Sequence, residues 1–144
     1  MFSIHSVAGR IILGMVTGIV IGAITIAFLP WFGFPLFSAF GLGSLVMFFL
    51  MGAMIGLIGI FDRHPVFKFK MRWWLRGPAL GLLFMLMYVL LSYQNLQFVM
   101  QSPLVNWTGL SSPFWALLDG LWIGGLMGWI ETSVAGEGSD LSLE

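Results

Sequence analysis

The sequence predicts an all-α integral membrane protein, a four-transmembrane-helix bundle with the N-terminus and the C-terminus both cytoplasmic. Its 144 residues are 59% hydrophobic and 8% charged, with a mean hydropathy of +1.00, far from the composition of a soluble domain. Positions 11–61 and 77–118 carry no charged residue, and each stretch is long enough for two crossings of about 20 residues. A chain of this length is predicted to be a single polytopic domain, 1–144.

The first two spans are predicted at about 11–29 and 37–61. The first ends at the segment PWFGFP, residues 30–35, in which two prolines and a glycine favour a tight turn. It is longer than the apolar region of a signal peptide and lacks a clean small-residue cleavage site, so we interpret it as a retained span.

The third and fourth spans are predicted at about 78–100 and 113–131. Pro78 suits a first helical turn, because the N–H that proline lacks would be unpaired there. A polar segment, QSPLVNWTGLSSP, separates the two spans. A short acidic tail follows at 132–144, rich in glycine and serine.

Basic residues set the predicted orientation. Four crossings put every lysine and arginine on one side, which the positive-inside rule makes cytoplasmic, and we expect a multi-pass protein of a bacterial inner (plasma) membrane. Five of these six residues lie in the cytoplasmic loop 62–77, where we expect contact with anionic lipid headgroups or with a partner. They are Arg63, Lys68, Lys70, Arg72 and Arg76. Alternating aromatic and basic residues favour an extended conformation, and an interfacial helix with a snorkelling Lys70 is the alternative.

Small residues at four-residue spacing mark the faces on which membrane helices approach each other closely. This pattern occurs in three of the four predicted spans, and we expect it to mediate packing within the bundle, with homo-oligomer contacts as the alternative. The glycines concerned are Gly14, Gly18, Gly22, Gly52, Gly56, Gly120, Gly124 and Gly128.

The fourth span also carries a row of tryptophans. Trp115, Trp122 and Trp129 are seven residues apart and fall roughly opposite the glycine face of the same helix. These rings face either acyl chains or the helix of a partner. We favour the partner, because a deep indole N–H needs an acceptor.

Asp119 is the one acidic residue predicted to lie deep within a span, and intramembrane carboxylates are costly enough to suggest a function. We predict a polar intramembrane site around it, formed with Ser92, Tyr93, Asn95 and Gln97 of the third span. A structural hydrogen-bond network that locks two helices is the alternative interpretation.

No catalytic site, metal site, cofactor or nucleic-acid partner is predicted. The chain has no cysteine, its two histidines, His5 and His64, are far apart, and its glycines lie within apolar spans. Three functions fit this pattern. The first is a non-enzymatic accessory or assembly subunit of a larger membrane complex. The others are a homo-oligomeric channel or transporter that uses the Asp119 pocket, and a protein that binds or transports lipid headgroups.

Overall fold

The computed structural model describes residues 4–61, 63, 66, 68–136 and 138, and this part of the chain is helical with no strand. The all-helical prediction is therefore confirmed. Two short 3₁₀ turns occur at Leu29–Phe32 and Pro113–Trp115. The helices are α1 (Val7–Phe28), α2 (Ala39–Ile58), α3 (Trp73–Leu91), α4 (Tyr93–Gln101), α5 (Pro103–Asn106) and α6 (Ala116–Ala135).

Three segments of the described chain are long and apolar enough to cross a membrane: Val7–Phe32, Ala39–Ile58 and Trp73–Leu91. They contain α1, α2 and α3. The last helix, α6, is also 20 residues long but carries Asp119 and Glu131, and it is not among these three. A fourth crossing and the side on which the termini lie stay predictions.

Serine side chains cap the N-termini of the first two helices. Ser6 Oγ accepts a hydrogen bond from the Gly9 backbone N–H at 3.0 Å, and Ser38 Oγ accepts one from Gly41 at 3.1 Å. Each satisfies a backbone donor that has no partner inside the helix. The turn after α1 closes at Gly33, whose φ of 84° lies in the left-handed region that glycine tolerates best.

The third helix differs from its predicted bounds at both ends. It begins at Trp73 rather than Pro78, so Pro78 lies inside α3, where the carbonyl of Trp74 loses the hydrogen bond of a regular helix. It ends at Leu91, because Ser92 adopts a non-helical φ of −118° that interrupts the helix. The predicted outer end of this span is the separate helix α4.

The long helices form two antiparallel hairpins, α1 with α2 and α3 with α6. Gly14 lies against Gly52, and a Cβ atom added to either would overlap the carbonyl oxygen of the other. Gly81 lies against Gly120 in the same way. Because the backbones touch at these glycines, a larger residue at any of them would push the helices apart.

An apolar core joins the two hairpins. Met51 and Ile55 of α2 and Met127 of α6 have essentially no exposed surface, and they pack in one cluster with Met85 and Val89 of α3. This layer separates the polar groups at one end of the bundle, where α1 and α3 begin, from those at the end where α6 begins.

Candidate functional site

Three charged residues are buried at the end of the bundle where α1 and α3 begin. Arg10 and Glu131 are 0% exposed and Arg76 is 3% exposed. Arg10 Nη2 lies 3.8 Å from Glu131 Oε2, and Arg76 also attracts the Glu131 carboxylate electrostatically. We call these three residues the buried ion cluster.

Arg10 connects three helices. Its Nε donates to the Gly56 carbonyl at 3.1 Å, its Nη2 donates to Thr132 Oγ1 at 3.3 Å, and its Nη1 donates to the Gly136 carbonyl. Glu131 is bound differently, since neither carboxylate oxygen accepts a hydrogen bond from a described residue. Arg10 therefore joins the helix ends by hydrogen bonds, while it faces Glu131 in an ion pair that no hydrogen bond to the carboxylate supports.

Arg76 lies elsewhere than expected. It is one of the five bases predicted to contact lipid headgroups or a partner, but its side chain is buried and its Nη1 donates to the Phe61 carbonyl at 2.9 Å. The described part of 61–72 contains no helix, and an antiparallel bridge joins Arg63 to Lys70. His64 lies outside the described residues, as does most of the predicted tail. The bases that are exposed are Arg63, Lys68, Lys70 and Arg72.

At the opposite end of the bundle, Asp119 lines a crevice of about 280 Å³. Thr25 and Tyr88 supply the other polar side chains of its lining. Ser44 Oγ donates to the Phe40 carbonyl at 2.8 Å, so in its contact with Tyr88 Oη, 2.5 Å away, the tyrosine hydroxyl is the donor. Asp119 itself is exposed, whereas the sequence analysis expected a buried carboxylate.

The structure does not bring the other predicted polar residues to Asp119. Gln97 Nε2 donates to the Ser111 carbonyl at 3.1 Å, and the Tyr93 ring lies 6.1 Å from the Phe114 ring. Ser92 ends α3, Asn95 is exposed on α4, and none of the four lines the crevice. The break at Ser92 explains this, because it carries their segment out of the line of α3.

The tryptophans of α6 are exposed, led by Trp122 at 81%. A groove of about 550 Å³ runs beside them between α3 and α6, with Pro78 and Gly125 in its lining. The eight predicted glycines lie on other faces of the helices, and all of them are buried. Those of α6 pack on α3. There they meet Gly77 and Gly81, which were not among the predicted glycines. The groove walls are Trp73, Trp74, Trp122 and Trp129.

The buried ion cluster was not predicted, although the residue spacing contains a signal for it. Arg10 is four residues before Gly14, and Glu131 is three residues after Gly128. Both therefore continue a glycine face by one helical turn. A charged residue in line with such a face is directed toward a neighbouring helix.

The described residues contain no group of three or more histidine, cysteine or acidic side chains that could hold a metal ion. The chain matches no protein-family model, no curated protein and no solved structure.

Proposed function

We propose that this chain is a non-enzymatic subunit of a larger complex in a bacterial inner membrane. In this proposal α6 is the fourth crossing, and its tryptophan face receives a transmembrane helix of the partner. One observation carries the proposal. The glycine side of α6 is occupied by α3, while Trp122 and Trp129 stand exposed beside a large apolar groove.

The packing of α6 supports a fourth crossing. It runs antiparallel to α3, from Gly128 beside Trp73 to Gly120 beside Met85. Its two carboxylates lie toward its ends, and one of them is paired with Arg10. A helix of 20 residues spans about 30 Å, which is the thickness of the hydrocarbon core. The exposed bases of the cytoplasmic loop support the orientation in which the termini face the cytosol.

A helix fits the groove better than an acyl chain does. Within the described residues, the indole N–H groups of Trp122 and Trp129 donate to no protein acceptor. Indoles in apolar surroundings need an acceptor, which a polar side chain on a partner helix supplies and an acyl chain does not. The groove also has no side chain at Gly125, where an added Cβ would meet only the Pro78 ring, at 3.4 Å. This leaves room for close approach.

Crosslinking tests the docking surface, because the chain has no cysteine of its own. Single cysteines replace Trp122, Trp129 or, as a control on the exposed side of α1, Val20. In native membranes we expect a photoactivatable maleimide crosslinker at the two α6 positions to capture the same protein, which the control position does not capture. Crosslinks to a second copy of this chain, or to lipid alone, would contradict the proposal.

A binding measurement then separates docking from chance proximity. We expect the purified partner to bind the wild-type chain in lipid nanodiscs and to bind Trp122→Ala at least about tenfold more weakly, as for a tryptophan hot spot. Trp107→Ala is the matched control. Trp107 is also 81% exposed, but its indole already donates to the Leu104 carbonyl at 2.8 Å.

The channel hypothesis has less support. The apolar layer of Met51, Ile55 and Met127 lies between the Asp119 crevice and the buried ion cluster. A single chain therefore offers no continuous polar path, and conduction would require one between copies. Native mass spectrometry separates the two ideas, since a defined homo-oligomer without a larger partner favours conduction.

A further inference from the structure

We propose that the crevice beside Asp119 binds a small organic cation, an amine or quaternary ammonium group with an apolar substituent. This site is independent of the tryptophan face. It combines a carboxylate with an aromatic lining in one partly enclosed space, and each of these features selects for the same ligand chemistry.

The carboxylate supplies the charge. Asp119 is exposed, and its carboxylate forms no hydrogen bond or ion pair with the described residues. The buried arginines cannot neutralise it, because they lie at the Glu131 level, twelve residues or about 18 Å along α6. A carboxylate within an apolar protein surface is expected to pair with an opposite charge. Here that charge has to come from the ligand.

The walls supply the second contact. A cation placed over aromatic faces is attracted by their electron-rich surfaces, and several rings together form the cages that recognise quaternary ammonium groups. The Tyr88 ring is held by its hydroxyl contact with Ser44 and stacks on the Phe40 ring, with centroids 5.8 Å apart. The aromatic residues of the lining are Phe28, Phe32, Phe40, Phe48 and Tyr88.

A metal cation fits this site poorly. Calcium takes six to eight oxygen ligands, and magnesium requires a near-octahedral set. The crevice offers one carboxylate and two hydroxyl groups, from Thr25 and Tyr88. An organic cation needs fewer polar ligands, because the rings satisfy its apolar part.

The size and position of the crevice limit the ligand further. A volume of about 280 Å³ is just below the usual range of ligand pockets, which is about 300 to 1,000 Å³. Its rim includes the exposed side chains of Ile24, Phe28 and Asp119, so it opens at the surface between α1 and α6. Leu96 and Val99 of α4 line it as well. A single ring with a small ammonium group suits this space.

Calorimetry with benzyltrimethylammonium tests the site. The full chain is placed in nanodiscs of zwitterionic lipid, and empty nanodiscs correct for partition into the bilayer. We expect saturable binding of one cation per chain. Benzyl alcohol, which has the same ring without the charge, should bind at least about tenfold more weakly, a difference of about 1.4 kcal/mol.

Variants assign the binding to this crevice. Asp119→Asn should weaken the cation about tenfold and leave benzyl alcohol unchanged, because only the charge is lost. Phe28→Leu, at the rim, should weaken it by a smaller factor, and Trp107→Phe, outside the crevice, should not change it. Helical content and monodispersity verify the fold of each variant. The absence of saturable binding, equal affinity for benzyl alcohol, or an unaffected Asp119→Asn would each overturn the proposal.

Discussion

The two carboxylates of α6 occupy opposite environments. Glu131 is fully buried between Arg10 and Arg76, whereas Asp119 is exposed beside a crevice that holds no basic residue. Removing a carboxylate from water costs several kcal/mol, which an opposite charge in good geometry offsets. Glu131 therefore takes its compensating charge from arginines within the bundle, and in the proposed site Asp119 takes it from a ligand outside the chain.

The position of each residue around the helix explains the difference. Glu131 follows Gly128 by three residues and so lies on the packed side of α6, near the start of α1. Asp119 precedes Gly120 by one residue, which turns it about 100° away from the packed side. Two residues of the same chemistry thus differ because the helix directs one inward and the other outward.

The largest expected effect is at the buried end. Arg10→Ala removes hydrogen bonds to Gly56, Thr132 and Gly136, and it leaves Glu131 with less compensating charge. Breaking a buried pair by removing one partner costs about 3–5 kcal/mol. We expect a loss of this size in the free energy of unfolding, measured by denaturant titration in mixed micelles.

Arg72→Ala is the matched control for Arg10→Ala. Arg72 is an exposed arginine at the same end of the bundle, and changes at exposed positions are usually within about 0.5 kcal/mol. Similar small losses for both variants would show that the buried ion cluster contributes little to stability. The contrast between the two ends of α6 would then lose its energetic basis.

A smaller effect is expected from crowding the buried end without removing a charge. In Gly14→Ala the new methyl group would overlap the Gly52 carbonyl and come within 2.8 Å of Glu131 Oε1. Overpacking of this kind costs about 1–3 kcal/mol. The same unfolding measurement should show that loss.

Gly43→Ala provides a control of opposite sign. Gly43 is also in a helix, but an added Cβ there meets nothing within 4 Å. Replacing a helical glycine by alanine in open space is favourable by about 1 kcal/mol. If both variants changed stability in the same direction, helix propensity rather than close packing would determine the result.

The sequence predicted the helices well, because apolar length and glycine spacing are local properties. The stripe at Gly14 lies in α1 and the stripe at Gly120 lies in α6, two helices that overlap the segments predicted at 11–29 and 113–131. The break at Ser92 was missed, because no proline or glycine marks it and positions 77–118 carry no charged residue. This error also affected the predicted polar site, because the residues expected beside Asp119 lie at the break or in α4.

The buried ion cluster was harder to predict, because it depends on the assembly of the two hairpins. Arg10 belongs to the first hairpin, and Arg76 and Glu131 belong to the second. Charge counting explained both arginines through topology alone. Only the packed bundle shows which arginines face inward and which, like Arg72, remain at the surface.

The smallest expected effect is at the exposed carboxylate. Asp119 contacts no charged partner among the described residues, so Asp119→Asn should change the free energy of unfolding by less than about 0.5 kcal/mol. Combined with Arg10→Ala, the two losses should add within about 0.5 kcal/mol, because separated sites without shared partners behave independently. A loss as large as that of Arg10→Ala would instead make Asp119 a structural lock between helices. The Asp119 carboxylate would then not be available to a ligand, and the carboxylates at both ends of α6 would stabilise the fold.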